Sequence, residues 1–248
     1  MWEAEKLRDD ITDGFGGVIT DTAGTTVKMS ASTVAQRNFW AAGNKDRLLF
    51  GNLVSNYSAT YATALGNVAN TVKASVANMS LAKRLAKLAD PHIRPFRTET
   101  GREYFVAFHG SRSFRDLKAD TTIVAANTNA RSREDGGMND NPLFQDGDII
   151  YDGVIHHEAP EIDAWATASG VYDASGASSC DVRPIFVCGG GAVSIAWGQE
   201  PTPRTDLLKD YQFRPGVAIE ELLGVKKTNF NGFQNGMVTA HVAAAADS

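Results

Sequence analysis

The stretch "GDIIYDGVIHHEA", Gly147 to Ala159, decides the fold, because two apolar runs flank Asp152-Gly153, a pair suited to a two-residue turn with positive φ at both positions. It predicts a β-hairpin. Its end, His156-His157-Glu158, raises the question of a metal site. Adjacent residues of a strand point to opposite faces, so His156 and His157 cannot easily hold one ion, whereas His156 and Glu158 share a face. Zinc would need further ligands from His92, His109 or His241, and neither H-x-x-x-H nor H-E-x-x-H occurs. The favoured reading is a polar strand end at an interface, with a metal-dependent hydrolase using His156 and Glu158 as the alternative. The carboxylates Asp135, Asp140, Asp146, Asp148 and Asp152 fall in loop and turn positions where solvation is normal.

Upstream, "YFVAF" from Tyr104 to Phe108 is apolar on both faces, as a central strand is. "SFRDLKAD" follows as a helix with Phe114 and Leu117 on one side. Its Arg112, Arg115 and Lys118, with Asp116 and Asp120 between them, read as a solvated or inter-subunit face. From Thr121 to Asn141 the polar, glycine-bearing sequence predicts a long surface loop, and loops of that length usually have a functional reason. Arg131, Arg133, Glu134 and Asp135 put both charge signs on it, which suits complementary neighbours in a symmetric array.

Before the central strand, Ser80 is expected to cap a helix with Leu81, Leu85 and Leu88 inward and Lys83, Arg84 and Lys87 outward, stopped by Asp90-Pro91. Trp2, Leu7, Ile11 and Phe15 predict a helix ended by Gly16-Gly17, and Thr33 to Leu49 a second. The polar stretch from Asn52 to Asn78 reads as helix or extended arm.

Downstream, "RPIFVC" reads as a strand, "GAVSIAWG" as a short helix, and "GMVTAHVAAAA" as a closing strand alternating in its first half. Gly189, Gly190 and Gly191 mimic a phosphate-binding turn, but the dinucleotide fingerprint requires glycine where Ser194 stands. Packing of helix on strand explains them more simply. Strands and helices mix without a βαβ rhythm, which indicates an α+β fold.

The 248 residues, 43% hydrophobic with a net charge of -5, suit one large domain or two small ones. No Lys/Arg block marks a dedicated nucleic-acid binder, although packed nucleic acid could lie against a near-neutral wall. No apolar run approaches the ~20 residues of a membrane span, and the N-terminus lacks the order of a signal peptide, so a soluble, non-exported protein is expected. Cys180 and Cys188 are expected to be free, reduced thiols. Cys188, in an apolar run, is expected to be inert.

Assembled in order, "MSLAKRLAKLADPHIRPFRTETGREYFVAFHGSRSFRDLKAD", "NPLFQDGDIIYDGVIHHEA", "RPIFVCGGGAVSIAWGQ", "KDYQFRPGVAIEELLGVKKTNFNG" and "FQNGMVTAHVA" resemble the major capsid proteins of tailed bacteriophages, in a podophage and prophage branch. The carriers are the "RDL" of Arg115-Asp116-Leu117, the "NP-aromatic" turn of Asn141 to Phe144, the strand near "GVIHHE" and the G-x-K-K-x-x-F run from Gly224 to Phe230. Asp210-Tyr211-Gln212 departs from a "DYG"-like element at its third residue.

The resemblance covers about residues 78 to 243. It implies a Hong Kong 97-type fold with interleaved peripheral and axial elements in 79–248, after an N-terminal helical or extended region, 1–78. It also implies a structural, non-enzymatic virion protein without cofactors, assembled in the host cytoplasm into hexamers and pentamers around double-stranded DNA, with portal, scaffolding or decoration proteins as further partners. An encapsulin-like compartment shell is the alternative within the fold. Family members usually carry a longer N-terminal arm and hairpin loop, so a shortened lineage, a processed form or a partial chain is expected.

Overall fold

The computed structural model describes residues 17–99, 101–131, 144–145, 148–206, 216–230 and 232–246. Strands β1 (Val18–Thr20) and β2 (Thr26–Lys28) form a small hairpin, followed by helix α1 (Val34–Gly43). Thr33 caps α1 through Gln36 N, and the Gln36 side chain accepts from Thr33 N in return. The helix expected to run to Leu49 ends at Gly43. A 3-10 turn and strand β3 (Leu48–Phe50) follow, because Leu48, Leu49 and Phe50 are buried in the sheet.

The stretch from Asn52 to Asn78 is neither one helix nor an arm. It holds a 3-10 turn at Val54–Asn56 and the short α2 (Tyr61–Gly66), and α3 (Val76–Leu88) begins before it ends. Ser75, not Ser80, caps α3 by accepting from Asn78 N, and its buried face is Asn78, Met79, Ala82 and Ala86 rather than the expected leucines. Leu88 is 63% exposed, while Leu81 and Leu85 flank the contact. Alanines let the helix axis approach the sheet closely, which leucines on that line would prevent.

After α3 come β4 (Phe96–Arg97), β5 (Glu103–His109), α4 (Ser111–Lys118), α5 (Thr121–Arg131), β6 (Phe144–Gln145), β7 (Asp148–Tyr151), β8 (Val154–Glu158) and α6 (Glu161–Ser169). Then follow β9 (Val182–Cys188), β10 (Val193–Asp206), β11 (Gly216–Lys227), β12 (Asn229–Phe230), β13 (Phe233–Gln234) and β14 (Met237–Ala243). The main sheet runs β3-β14-β9-β5-β8-β7-β6, with β4 beside the start of β5. The strand read as central is central: β5 lies parallel to β8 and antiparallel to β9. The hairpin of the opening stretch also forms, with φ of 49° at Asp152 and 69° at Gly153.

Helix α3 packs against β14 on one face of the sheet, and α6 lies against β9. Covered sheets are buried throughout, so β9 and β14 show no alternation; the pattern expected in the first half of β14 is absent for that reason.

Two further readings are overturned. The start of the Thr121–Asn141 segment is helix, because Asp120 supplies the N-terminal acceptor: its Oδ1 accepts from Thr122 N at 2.8 Å, and its backbone carbonyl from Val124 N at 3.0 Å. Asp120 Oδ2 also accepts from Val76 N at 3.0 Å, capping α3 from outside. Asp120→Ala is therefore expected to cost about 1–2 kcal/mol, read as a lower urea midpoint, because two helix starts lose an acceptor.

"GAVSIAWG" is the start of β10 and not a helix; its partner is β11, whose Lys227 pairs with Val193. No helix follows to pack on the strand as expected; Gly189 and Gly236 serve close chain crossings, and Gly191 takes a φ of 80°. A Cβ on Gly189 would meet the carbonyl of Arg94, and one on Gly236 the backbone of Ala192. Gly189 N donates to Gly236 O at 2.8 Å and Gly190 N to Arg94 O at 2.7 Å.

Candidate functional site

Two features stand out: a buried polar frame that holds the sheet and its helices together, and a long hairpin that leaves the body exposed. The frame centres on Arg183 in β9, whose side chain is 1% exposed. It pairs with Asp173 Oδ1 at 2.7 Å and donates to Thr167 Oγ1 at 3.0 Å and to Val182 O at 2.9 Å. Its Nε lies 3.5 Å from Asp163 Oδ1, an ion-pair distance without hydrogen-bond geometry. Asp181 joins it to α4 by pairing with Arg112 at 3.0 Å. Asp163, in α6, accepts from Arg112 N at 3.0 Å and so caps α4, whose own N-cap residue is Gly110; a Cβ there would strike the Asp163 carboxylate.

The cationic face expected to be solvated or inter-subunit is solvated at Arg115 and Lys118, which are exposed, and also makes contacts within the chain. Arg115 pairs with buried Asp116 at 3.2 Å and donates to Ala245 O at 3.2 Å. Lys118 lies 4.2 Å from the Phe114 ring centroid and 3.9 Å from Glu158 Oε2. Lys83, expected to face away, reaches the carbonyl and carboxylate of Asp152.

The histidines are structural in their geometry. His156 is buried and His157 exposed, on opposite faces of β8 as their adjacency requires. His156 Nδ1 is 2.9 Å from His109 Nε2 on the neighbouring β5, so each ring uses a nitrogen on the other. Burial holds His156 down at about 4, and burial together with the neighbouring His156 ring pushes His109 well below its ordinary value. Among the described residues, no group of three or more His, Cys, Asp or Glu is arranged to hold a metal.

His241 in β14 lies 3.2 Å from Leu49 O through Nδ1. A carbonyl only accepts, so Nδ1 carries the proton and Nε2 accepts from the Tyr61 hydroxyl at 2.8 Å. Its ring stacks on Phe50 at 4.6 Å, and burial lowers it to about 4. Cys188 is buried, with its thiol pushed up to about 12 by desolvation, and Cys180 is raised for the same reason.

The hairpin β10–β11 is a two-stranded sheet of its own. Its register pairs Ile195 with Val225, Trp197 with Leu223, Pro203 with Ile219 and Thr205 with Val217, across two bulges in β10. Paired residues share a face, so these form one apolar side. The reverse side carries Thr202, Ala218, the Arg204–Glu220 ion pair at 2.9 Å and Leu222, which is 63% exposed. At the hairpin base Lys227 is buried, 5.6 Å from the Trp40 ring centroid and 3.5 Å from Val18 O, and desolvation lowers it to about 7.

Reading the sequence missed this hairpin, although Ile195-x-Trp197 and Val217-x-Ile219 carry its period of two. Of the residues expected at subunit contacts, Arg131 is the last residue of α5, while Arg133, Glu134 and Asp135 lie outside the described residues.

Comparison with known proteins defines the class. Residues 10–244 match the profile of a family described as phage capsid protein, and the chain belongs to that family. It is similar to the structure of the cyanophage Pam1 capsid asymmetric unit, at 46% identity and a TM-score of 0.85, covering 99% of this chain and 67% of that one. The capsid of Ralstonia phage GP4 shares the fold at 20% identity and a TM-score of 0.61, over 98% of this chain and 64% of that one. The major capsid protein of Pseudomonas phage KPP25 is 29% identical over 163 residues, 62% of this chain. This chain spans 41% of the length of that curated relative. The mixed helix and sheet architecture is consistent with the expected Hong Kong 97-type fold.

Proposed function

We propose that this chain is the repeating subunit of a phage head, self-assembling as hexamers and pentamers into a closed icosahedral shell and performing no catalysis. The observation that carries this reading is the likeness to the Pam1 capsid asymmetric unit along nearly the whole chain at 46% identity. The buried frame around Arg183 suits the role, because a subunit repeated in a shell has to present the same surfaces each time. The interleaved peripheral and axial elements are assigned to 79–248 together with part of 1–78, because β3 (Leu48–Phe50) lies in the main sheet beside β14.

The enclosed material is double-stranded DNA, contacted non-specifically. With 24 basic against 29 acidic residues, the wall releases few counterions and does not grip the backbone. Portal, scaffolding or decoration proteins complete the virion, and assembly takes place in the host cytoplasm.

Sedimentation velocity across protein concentration and ionic strength tests the reading. A fast, narrow boundary appearing above a threshold concentration is expected, and a monomer under all conditions overturns it. We assign Arg131, Arg133, Glu134 and Asp135 to contacts between subunits. Arg131→Glu with Arg133→Glu is then expected to lower shell yield several-fold and make the remaining assembly more salt-sensitive, with an unchanged circular dichroism spectrum. Unaltered yield would remove the assignment.

A further inference from the structure

We infer that the outward face of α3 is where the shell wall meets the backbone of the enclosed double-stranded DNA. The inference rests on the shell reading and locates one of its contacts. Five of the chain's 24 basic residues but only one of its 29 acidic residues lie between Val76 and Arg97, so a chain that is acidic as a whole is basic along this stretch. Helix α3 itself carries Lys83, Arg84 and Lys87 and no carboxylate. At about 100° per residue, Lys87 falls between Lys83 and Arg84 around the axis. All three lie within an arc of roughly 100°, beyond the face of Asn78, Met79, Ala82 and Ala86 that covers the sheet.

Which of these charges are free decides what the face can bind. Lys83 reaches Asp152, and on β4 Arg97 pairs with Glu103 at 2.9 Å, so both are answered within the chain. Arg84 and Lys87 are exposed and have no carboxylate in ion-pair range among the described residues. Arg94 continues the run. It is exposed and likewise unpaired, and Ile93 N donates to Ala86 O at 3.0 Å, which holds the chain next to Arg94 against the last turn of α3. Asp90, the one carboxylate of the stretch, lies past the helix end.

Residue types select DNA over a protein partner. The exposed positions of α3 are Ala77, Ser80, Arg84, Lys87 and Leu88. Alanine, serine and lysine are depleted from protein–protein interfaces, whereas serine, lysine and arginine are side chains that contact phosphate oxygens. Leu88 is the one large apolar side chain among them, too little for the apolar core of an interface. About two to three free cations per subunit neutralise about as many phosphates, a weak, sequence-independent contact that many subunits repeat along the DNA.

The test is fluorescence anisotropy of the full chain with two labelled duplexes of unrelated sequence, about 30 base pairs long, from about 20 to 200 mM salt. Both are expected to bind alike, with log K falling by about 2 to 3 per tenfold rise in salt. Arg84→Gln with Lys87→Gln is expected to lower affinity at least about tenfold at about 50 mM salt and to reduce the salt slope by about 2. Lys226→Gln with Arg204→Gln removes the same charge from exposed positions on the β10–β11 hairpin and is expected to change affinity less than about twofold. Arg84→Lys with Lys87→Arg keeps both charges and is expected to bind like the parent, with circular dichroism checking that every variant is folded.

Equal losses in the two neutralised pairs, no loss from Arg84→Gln with Lys87→Gln, or a parent that binds neither duplex at the lowest salt overturns the inference. So does a result in which Arg84→Gln with Lys87→Gln lowers shell yield without DNA and leaves duplex affinity unaltered, because the face is then a contact between subunits. Each of these outcomes leaves the shell reading intact, since sedimentation of the parent without DNA decides that separately. A parent that never assembles overturns the shell reading and with it the contact to enclosed DNA.

Discussion

Arg183→Ala is expected to lower the unfolding free energy by about 3–5 kcal/mol, read as a shift of the urea midpoint by circular dichroism. The guanidinium is almost wholly buried, and its fork holds Asp173, Thr167 and the carbonyl of Val182 while its charge faces Asp163 and Asp181. Taking it away leaves Asp163, whose side chain is 15% exposed, with a negative charge and no cation in ion-pair range among the described residues. The cost is that of an uncompensated buried charge more than of a lost contact. Arg183→Lys keeps the charge but loses the planar fork, so an intermediate loss is expected. Asp173→Asn is expected to cost less, because Asp173 is 39% exposed and partly solvated. No loss from Arg183→Ala would show that the frame does not carry the fold, and a full-size loss from Asp173→Asn would show that solvent does not screen that pair.

The second large effect is acid lability. His109, His156 and His241 are neutral and buried, each held below the ordinary 6.5. As pH falls below about 6.5, the unfolded chain takes up protons on these rings while the folded chain does not, so the unfolded state binds more protons and stability falls with pH. The loss begins near the unfolded value and continues until the folded groups titrate, at about 4 for His156 and His241. A ring displaced that far contributes about 3 kcal/mol over the window. Lys227 has the same sign in a higher window, from 10.5 down to about 7. The urea midpoint measured from pH 8 to pH 4 should therefore decline steeply below about pH 6.5. His241→Gln, which is smaller but keeps a donor for Leu49 O, is expected to be less stable at pH 8 and to show a shallower acid slope. An acid slope identical to the parent's would contradict the linkage.

How much of this was legible follows from how local each determinant is. The β7–β8 hairpin was readable because Asp152-Gly153 fixes its turn within two residues, and β5 because its apolar run is complete in itself. Helix α5 escaped because, apart from its three alanines, its residues are polar or β-branched, yet Asp120 stood before it as a cap that could have been recognised. Strand β10 escaped because its partner lies beyond residue 215, and nothing near Val193 announces that pairing. The inward face of α3 was misassigned because close approach to a sheet selects alanine over leucine, a preference that appears only once β14 is in place. Arg183, one charge inside "VRPIFVC", was the visible sign of the buried frame; its partners are three aspartates scattered from 163 to 181.

The central claim is that copies of this chain build a phage shell, and electron microscopy of the purified protein tests it most directly. Closed, hollow particles of uniform diameter are expected, with an averaged map in which the sheet ordered β3-β14-β9-β5-β8-β7-β6 repeats around each capsomer. Fields of dispersed monomers at every protein and salt concentration tried, or amorphous aggregates without symmetry, would contradict it.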